Sequence, residues 1–332
     1  MNHTRRNFLN LLAQSEPRAA SYWLHVNRTA MACRFEVTMR QSEETGIAAA
    51  TEALDEIDRL ESRLTVFRET SEVSVINSEA AKTPVEVSQE LFDLLTLCQR
   101  LYEGTDGAFD VTSGPLTRCW GFLRRQGRMP SQAEIDQSKS VVGSDKLLLD
   151  DTMRTVRFAR VGMEINLGSI GKGYALDSAA ELMSTRVSTA LLNAGSSSMR
   201  AAGKGEDGSG WLVGLRNPRS KLRRLGVLRL RDCALSTSGG EEQFFDHQGQ
   251  RYSHIIDPRS GWPASGVTSV SVVAPTAAIS DALATAFFVG GRQFAERYCQ
   301  NHTDVLAIML ESHAAAPISF GQSSGCEGLQ DL

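Results

Sequence analysis

At 332 residues, with 41% hydrophobic and 22% charged side chains, the chain has the balance of a globular protein large enough for a sizeable core and two lobes. No apolar run approaches the roughly 18 residues of a membrane span, which excludes a spanning helix and points to a soluble chain. A formal net charge of −4 excludes a broad basic field for nucleic acid, and the local basic stretch from Arg216 to Arg231 reads as a solvated, strand-flanking surface.

Taken in chain order, Thr4-Arg5-Arg6-Asn7-Phe8-Leu9 has the pattern of a twin-arginine export signal. The apolar stretch and small-residue cleavage site that should follow are interrupted by Asn10 and by Gln14-Ser15-Glu16. Residues 1–27 are set apart as a leader, with periplasmic export and a cytoplasmic location both open and the latter favoured. Arg34 to Met39 alternates as a half-buried strand should. Ile47, Ala50, Leu54, Ile57, Leu60 and Leu64 recur at three and four, predicting a helix over 43–64. Ser88 is placed to cap a second helix, with Leu91, Leu94, Leu95, Cys98 and Leu101 inward and its end at Gly104.

Short strands are predicted at Leu147–Leu149, Thr155–Phe158 and Met163–Leu167, after which Gly168 to Gly173 opens a helix running to about Met183. Further strands are predicted at Ala190–Leu192, Trp211–Leu215, Gly226–Leu230, Ser253–Ile256, Val267–Ala274 and Val305–Leu310. Hairpin-like neighbours outnumber strand-helix alternation, so the fold class is mixed α+β with antiparallel sheets. Residues 312–332, rich in Ser and Gly, read as a loosely packed C-terminal tail. The six cysteines are scattered with no Cys-x-x-Cys spacing, which disfavours a zinc site and favours small core residues over a disulfide framework.

Four segments carry chemistry. Glycines at 168, 171 and 173 let backbone N–H groups approach a diphosphate at a helix start, although a plain strand-to-helix turn has the same composition. Asp281 and Thr285, four apart at a helix start, point the same way and offer two oxygens to a hard cation such as Mg²⁺. A helix-start Asp meeting the dipole, with a Thr bonding backbone, fits the same spacing. His254, at the end of an apolar strand and before Asp257-Pro258, is a candidate general base, where a satisfied core histidine is the alternative. Thr105 to Asp110 combines small residues and carboxylates in a loop; a solvated turn after a helix is the alternative.

These segments, with Leu64-Thr65-Val66-Phe67-Arg68, Ser71-Glu72-Val73 to Asn77 and Gly114-Pro115-Leu116, occur in one order along the chain. Together they resemble the ApbE-type FAD:protein FMN transferases over residues 28–311. The resemblance implies two lobes around a central FAD cleft and a Mg²⁺-dependent transfer of FMN from FAD to a Thr or Ser of an acceptor flavoprotein, with loss of AMP. It implies an acceptor motif like Asp-Gly-x-(Thr/Ser)-Gly-Ala-(Thr/Ser), absent from this chain, so that self-modification is not expected. By the same resemblance Gly168, Ser169 and Lys172 meet the diphosphate, and the carbonyl of Gly171, here in place of the usual alanine, joins Asp281 and Thr285 on the metal. Met31, Asn77, Asp106, Gly107, Ala108, Phe109, Asp110 and His254 line the cofactor, Phe109 or Trp120 forms an apolar wall, and Asp257 fixes the loop or a cofactor hydroxyl. His254 takes the acceptor proton.

Two departures from the family pattern stand out: Ser196-Ser197-Ser198 replaces a glycine pair, and Glu241 stands where an aromatic is common. A Mg²⁺-dependent FAD diphosphatase and a non-catalytic flavin-binding protein remain the alternatives, with Asn77 marking where transfer and hydrolysis would be tuned. Oligomeric state is not legible.

Overall fold

The computed structural model describes residues 22–41, 45–205, 208–220 and 222–330. The arginine pair at Arg5-Arg6 lies outside them. The first element is a strand, β1 (Trp23–Ala30), paired along its whole length with β2 (Cys33–Arg40) from Trp23↔Arg40 to Ala30↔Cys33. The leader expected over 1–27 is therefore corrected at its C-terminal end. The hairpin escaped notice because its two-residue turn is Met31-Ala32, at φ 47° and 58°, where Asn-Gly would ordinarily announce such a turn.

Next come α1 (Gly46–Leu64), α2 (Glu72–Glu79), β3 (Val85–Glu86), α3 (Gln89–Gly104), α4 (Gly114–Cys119) and α5 (Gln132–Ser140). The predicted helices are present as α1 and α3, and Ser88 accepts the N–H of Leu91 as a cap should. In α1 the stripe is shifted from the expected one: Ile47 is 57% exposed, and Ala49, Ala50, Ala53 and Leu54 face inward. β4 (Leu147–Asp150) and β5 (Thr155–Phe158) form a small sheet with β3.

The strand expected at Met163–Leu167 is an extended segment outside any sheet. The Asn77 amide bonds both the N–H and the C=O of Ile165, at 2.7 and 3.0 Å, and Asn166 N–H donates to Val111 C=O at 2.7 Å. A side chain thus replaces a strand neighbour. The chain continues through α6 (Gly171–Met183), β6 (Ala190–Ala194), β7 (Ser198–Ala202), β8 (Trp211–Arg216), β9 (Arg224–Leu230), β10 (Ala234–Gly239), β11 (Phe244–His247), β12 (Gln250–Ser253) and β13 (Val267–Ala274). It ends with α7 (Ala277–Asn301), interrupted at Gly291 (φ 70°), and β14 (Val305–Glu311), β15 (Ile318–Gln322) and β16 (Cys326–Gln330). The strand predicted to reach Ile256 stops at Ser253.

The main sheet has eight antiparallel strands in the order β1-β2-β6-β7-β10-β13-β14-β15. Its central strands are apolar on both faces because both are covered. On β13 and β14, Val270, Val272, Ala307 and Met309 join the core beneath α1, α6 and α7, while Val273 and Ile308 face Trp211, Val213, Leu228 and Leu230 of β8 and β9. Alternation with period two sorts one run of residues into two cores. Phe287 and Phe288 of α7 are essentially fully buried, each contributing about 1.5–3 kcal/mol of transfer free energy.

The expected loose tail is also corrected. β15 pairs with β14, and β16 adds an edge to β8 and β9. Ile318 and Phe320 pack on the main core, an alternation too short to register as a strand.

One contact limits the whole helix layer. A Cβ at Gly173 would lie 2.0 Å from the carbonyl oxygen of Ala277. Gly173→Ala is expected to cost on the order of 3 kcal/mol in urea unfolding, by forcing α6 from α7; an unchanged midpoint would show that the helices can part freely.

Candidate active site

Two helix starts meet at one point. The turn before α6 is closed by Gly168 N–H donating to Asn166 Oδ1 at 2.9 Å and Gly171 N–H donating to Leu167 C=O at 2.7 Å. From α6, the Asp177 carboxylate accepts the N–H groups of Ala277 and Ala278, at 2.9 and 2.8 Å, at the start of α7. From α7, the Asp281 carboxylate accepts Gly173 N–H at 3.1 Å at the start of α6. Each helix thus satisfies orphan donors of the other. Burial pushes the Asp177 carboxyl up, against the pull of those N–H groups and of Arg200.

The buried Asp281 also accepts from Ser198 Oγ at 3.2 Å, and Lys172 Nζ stands 3.8 Å from its other oxygen. Thr285, one turn on, has its hydroxyl 3.3 Å from Ser238 Oγ. Carboxylate and hydroxyl oxygens are the donors here, and no group of three or more His, Cys, Asp or Glu residues suited to a metal occurs among the described residues. That set fits a hard cation needing few protein ligands and disfavours zinc.

These groups open onto a cleft of about 730 Å³. Of the candidates named from the sequence, Met31, Ala108, Asp110, Gly168, Ser169, Lys172, His254, Asp281 and Thr285 line it. Met31 is delivered by its left-handed turn, with its N–H donating to Glu61 at 2.9 Å. Asp110 is fixed by Thr112 and Ser144, whose hydroxyls donate to Oδ1, each at 2.7 Å, and burial raises its pKa. An adjoining apolar hollow of about 240 Å³ lies between Met31, Leu64, Val66 and Leu167, with Phe67, 74% exposed, at its edge.

His254 follows β12 directly. Its Nδ1 lies 3.0 Å from the carbonyl of Gln243, which only accepts, so Nδ1 carries the proton of the neutral ring and Nε2 keeps its lone pair. Burial pushes the ring's pKa below the ordinary 6.5. The β11–β12 hairpin that presents it is braced by Tyr252 stacked on Trp120 and Phe245, with centroids 5.8 and 5.3 Å apart.

Other candidates sit elsewhere. Asp106 and Gly107, at φ 50° and 72°, form the C-terminal turn of α3, where Gly107 N–H donates to Tyr102 C=O at 2.9 Å. Phe109 and Trp120 are core residues, so neither is the apolar wall, a place taken by Phe122. Asn77 is spent on Ile165 and faces a separate hollow with Arg118 and Glu164. Asp257 is paired with Arg259 at 2.9 Å and fixes its loop. Gly171 borders the apolar hollow. Of the departures, Ser198 is bound to Asp281 and Glu241 is paired with Arg251. Sequence reasoning missed Phe122, Gln243, Ser238 and Asn166 as lining residues; only Asn166, beside the glycine turn, had a local signal.

Residues 31–310 match the ApbE family. The chain is 32% identical over 250 residues to an FAD:protein FMN transferase of Escherichia coli K12, covering 73% of this chain and 70% of that protein. It is 30% identical over 256 residues to one of Haemophilus influenzae, covering 75% and 73%. The crystal structure of the ApbE protein of Thermotoga maritima superposes with a TM-score of 0.83 at 29% identity, covering 91% of this chain and 97% of that one.

Because burial favours the neutral ring, His254 holds its Nε2 lone pair through pH 7 and takes up a proton only below the ordinary 6.5. Its NMR titration midpoint is expected under 6.5; a midpoint at or above that value would contradict the assigned environment.

Proposed function

The chain belongs to the ApbE family, and we propose that it is an FAD:protein FMN transferase in which Asp281, Thr285 and the Gly171 carbonyl hold Mg²⁺ and His254 is the general base. The observation that carries this reading is the placement of Asp281, Lys172 and the α6 start in the same cleft as a histidine whose Nε2 is free to accept a proton. When bound, Mg²⁺ neutralises negative charge on the FAD diphosphate and on the departing phosphate. Lys172 binds the same diphosphate, at a helix start whose dipole favours an anion.

His254 Nε2 takes the proton of the acceptor Thr or Ser hydroxyl. The oxygen forms a bond to the FMN phosphorus, the bond from that phosphorus to the bridging oxygen breaks, and AMP leaves with the electron pair. The Gln243 carbonyl steadies the imidazolium that results, by accepting from Nδ1–H. The family resemblance implies an acceptor protein carrying Asp-Gly-x-(Thr/Ser)-Gly-Ala-(Thr/Ser). No helix among the described residues is long and apolar enough to cross a membrane.

Incubation with FAD, Mg²⁺ and an acceptor domain bearing that motif is expected to raise the acceptor's intact mass by one FMN phosphoester. Free FMN and AMP with an unchanged acceptor would mean hydrolysis instead. Asp281→Ala is expected to abolish metal-dependent turnover. His254→Ala is expected to lower the transfer rate by about 10²–10⁴-fold while FAD binding, read by flavin fluorescence, persists; full activity in either variant would overturn the assigned role.

A further inference from the structure

The stretch from Arg216 to Arg231 holds no acidic residue although arginine recurs through it, in a chain of net charge −4. Many arginines elsewhere are answered by carboxylates, as Arg28 is by Asp55 and Asp58 and Arg63 by Glu72 and Glu90. Here β8 and β9 set Arg216 directly opposite Arg224. Like charges facing each other across an antiparallel pair destabilise it. Both side chains are exposed, as is Arg223, and none of the three has a hydrogen-bond or ion-pair partner among the described residues.

Gly214 contributes to this arrangement. A Cβ there would stand 2.6 Å from Arg224 Cδ and 2.8 Å from its Nε, so the glycine leaves room for the Arg224 side chain to lie across β8. Arg216 lines the catalytic cleft and also a narrow groove of about 70 Å³ that runs from it past Ser196, Ser197 and Thr237. An unanswered cationic pair therefore begins at the rim of the cleft and leads outward, while Lys172 and the α6 start serve the diphosphate within.

We propose that Arg216, Arg223 and Arg224 form a docking point for the acceptor protein, binding a carboxylate-bearing segment near the hydroxyl that receives FMN. This rests on the transferase reading above. Guanidinium forks match carboxylates with two parallel hydrogen bonds, and a partner's negative charge relieves the repulsion between the facing strands. Arg224 lies outside the cleft, which separates its role from that of the groups holding FAD.

The test is steady-state FMN transfer to an acceptor domain carrying the Thr motif, with FAD and Mg²⁺, comparing wild type, Arg224→Glu and Arg224→Lys. Arg224→Glu is expected to raise the acceptor KM about tenfold with the FAD KM unchanged. Its thermal midpoint should hold or rise, because a Glu opposite Arg216 turns repulsion into attraction. Arg224→Lys should keep most of the affinity, and added NaCl should raise the acceptor KM of wild type far more than that of Arg224→Glu. An unchanged acceptor KM overturns the proposal, as does a rise confined to the FAD KM. Loss of binding to phosphatidylglycerol vesicles with the acceptor KM intact also overturns it, in favour of a lipid surface. A wild-type enzyme that consumes FAD yet never modifies the acceptor overturns the transferase reading itself.

Discussion

The exchange of carboxylates between α6 and α7 is the constraint on which the site depends. Asp177 completes the start of α7 and Asp281 the start of α6, so neither helix can be placed without the other. Gly173 permits the approach, since any side chain there would enter the backbone of α7. The consequence is electrostatic. The start of α6 opens on the cleft at Gly168, Ser169 and Lys172, and one buried carboxylate, Asp281, stands beside Lys172. A lysine-bearing helix start set against a buried carboxylate follows from the packing.

Around this point the fold distributes two kinds of precision. The main sheet and its helices are held by apolar burial, which tolerates volume-conserving change. The cleft walls are held by polar clasps: Asn77 on Ile165, Thr112 and Ser144 on Asp110, and the Gln243 carbonyl on His254. Met31 and Ala32 add backbone strain, with two non-glycine residues held at positive φ where the β1–β2 turn enters the cleft. The groups that line the cleft are thus held by polar partners as well as by apolar burial.

What could be read in the sequence divides along the same line. Periodic apolar runs marked α1, α3, β13 and β14, because burial on a regular element leaves a period. The glycine turn before α6, the Asp281–Thr285 pair and His254 were legible from spacing together with the family resemblance. Residues whose work is done by a clasp were misplaced: Asn77 was expected on the cofactor and holds a backbone segment, and Asp106 and Gly107 close a helix. β1, which completes the hairpin with the predicted β2, and the two C-terminal strands were invisible for another reason. Their turns lack the usual residues or their apolar alternation is too brief, and long-range pairing alone defines them.

That pairing has a bearing on how the chain comes to its fold during synthesis. The main sheet is laid down in chain order from β1 to β15, each strand joining beside one already made, so it can extend as the polypeptide emerges. The sheet of β8, β9 and β16 cannot. β9 has β8 at once but must wait for β16, at the far end of the chain, before its other edge is covered. Until then Leu228 and Leu230 lie in a two-stranded ribbon with both edges open, a stage at which the nascent protein can pair with a neighbour.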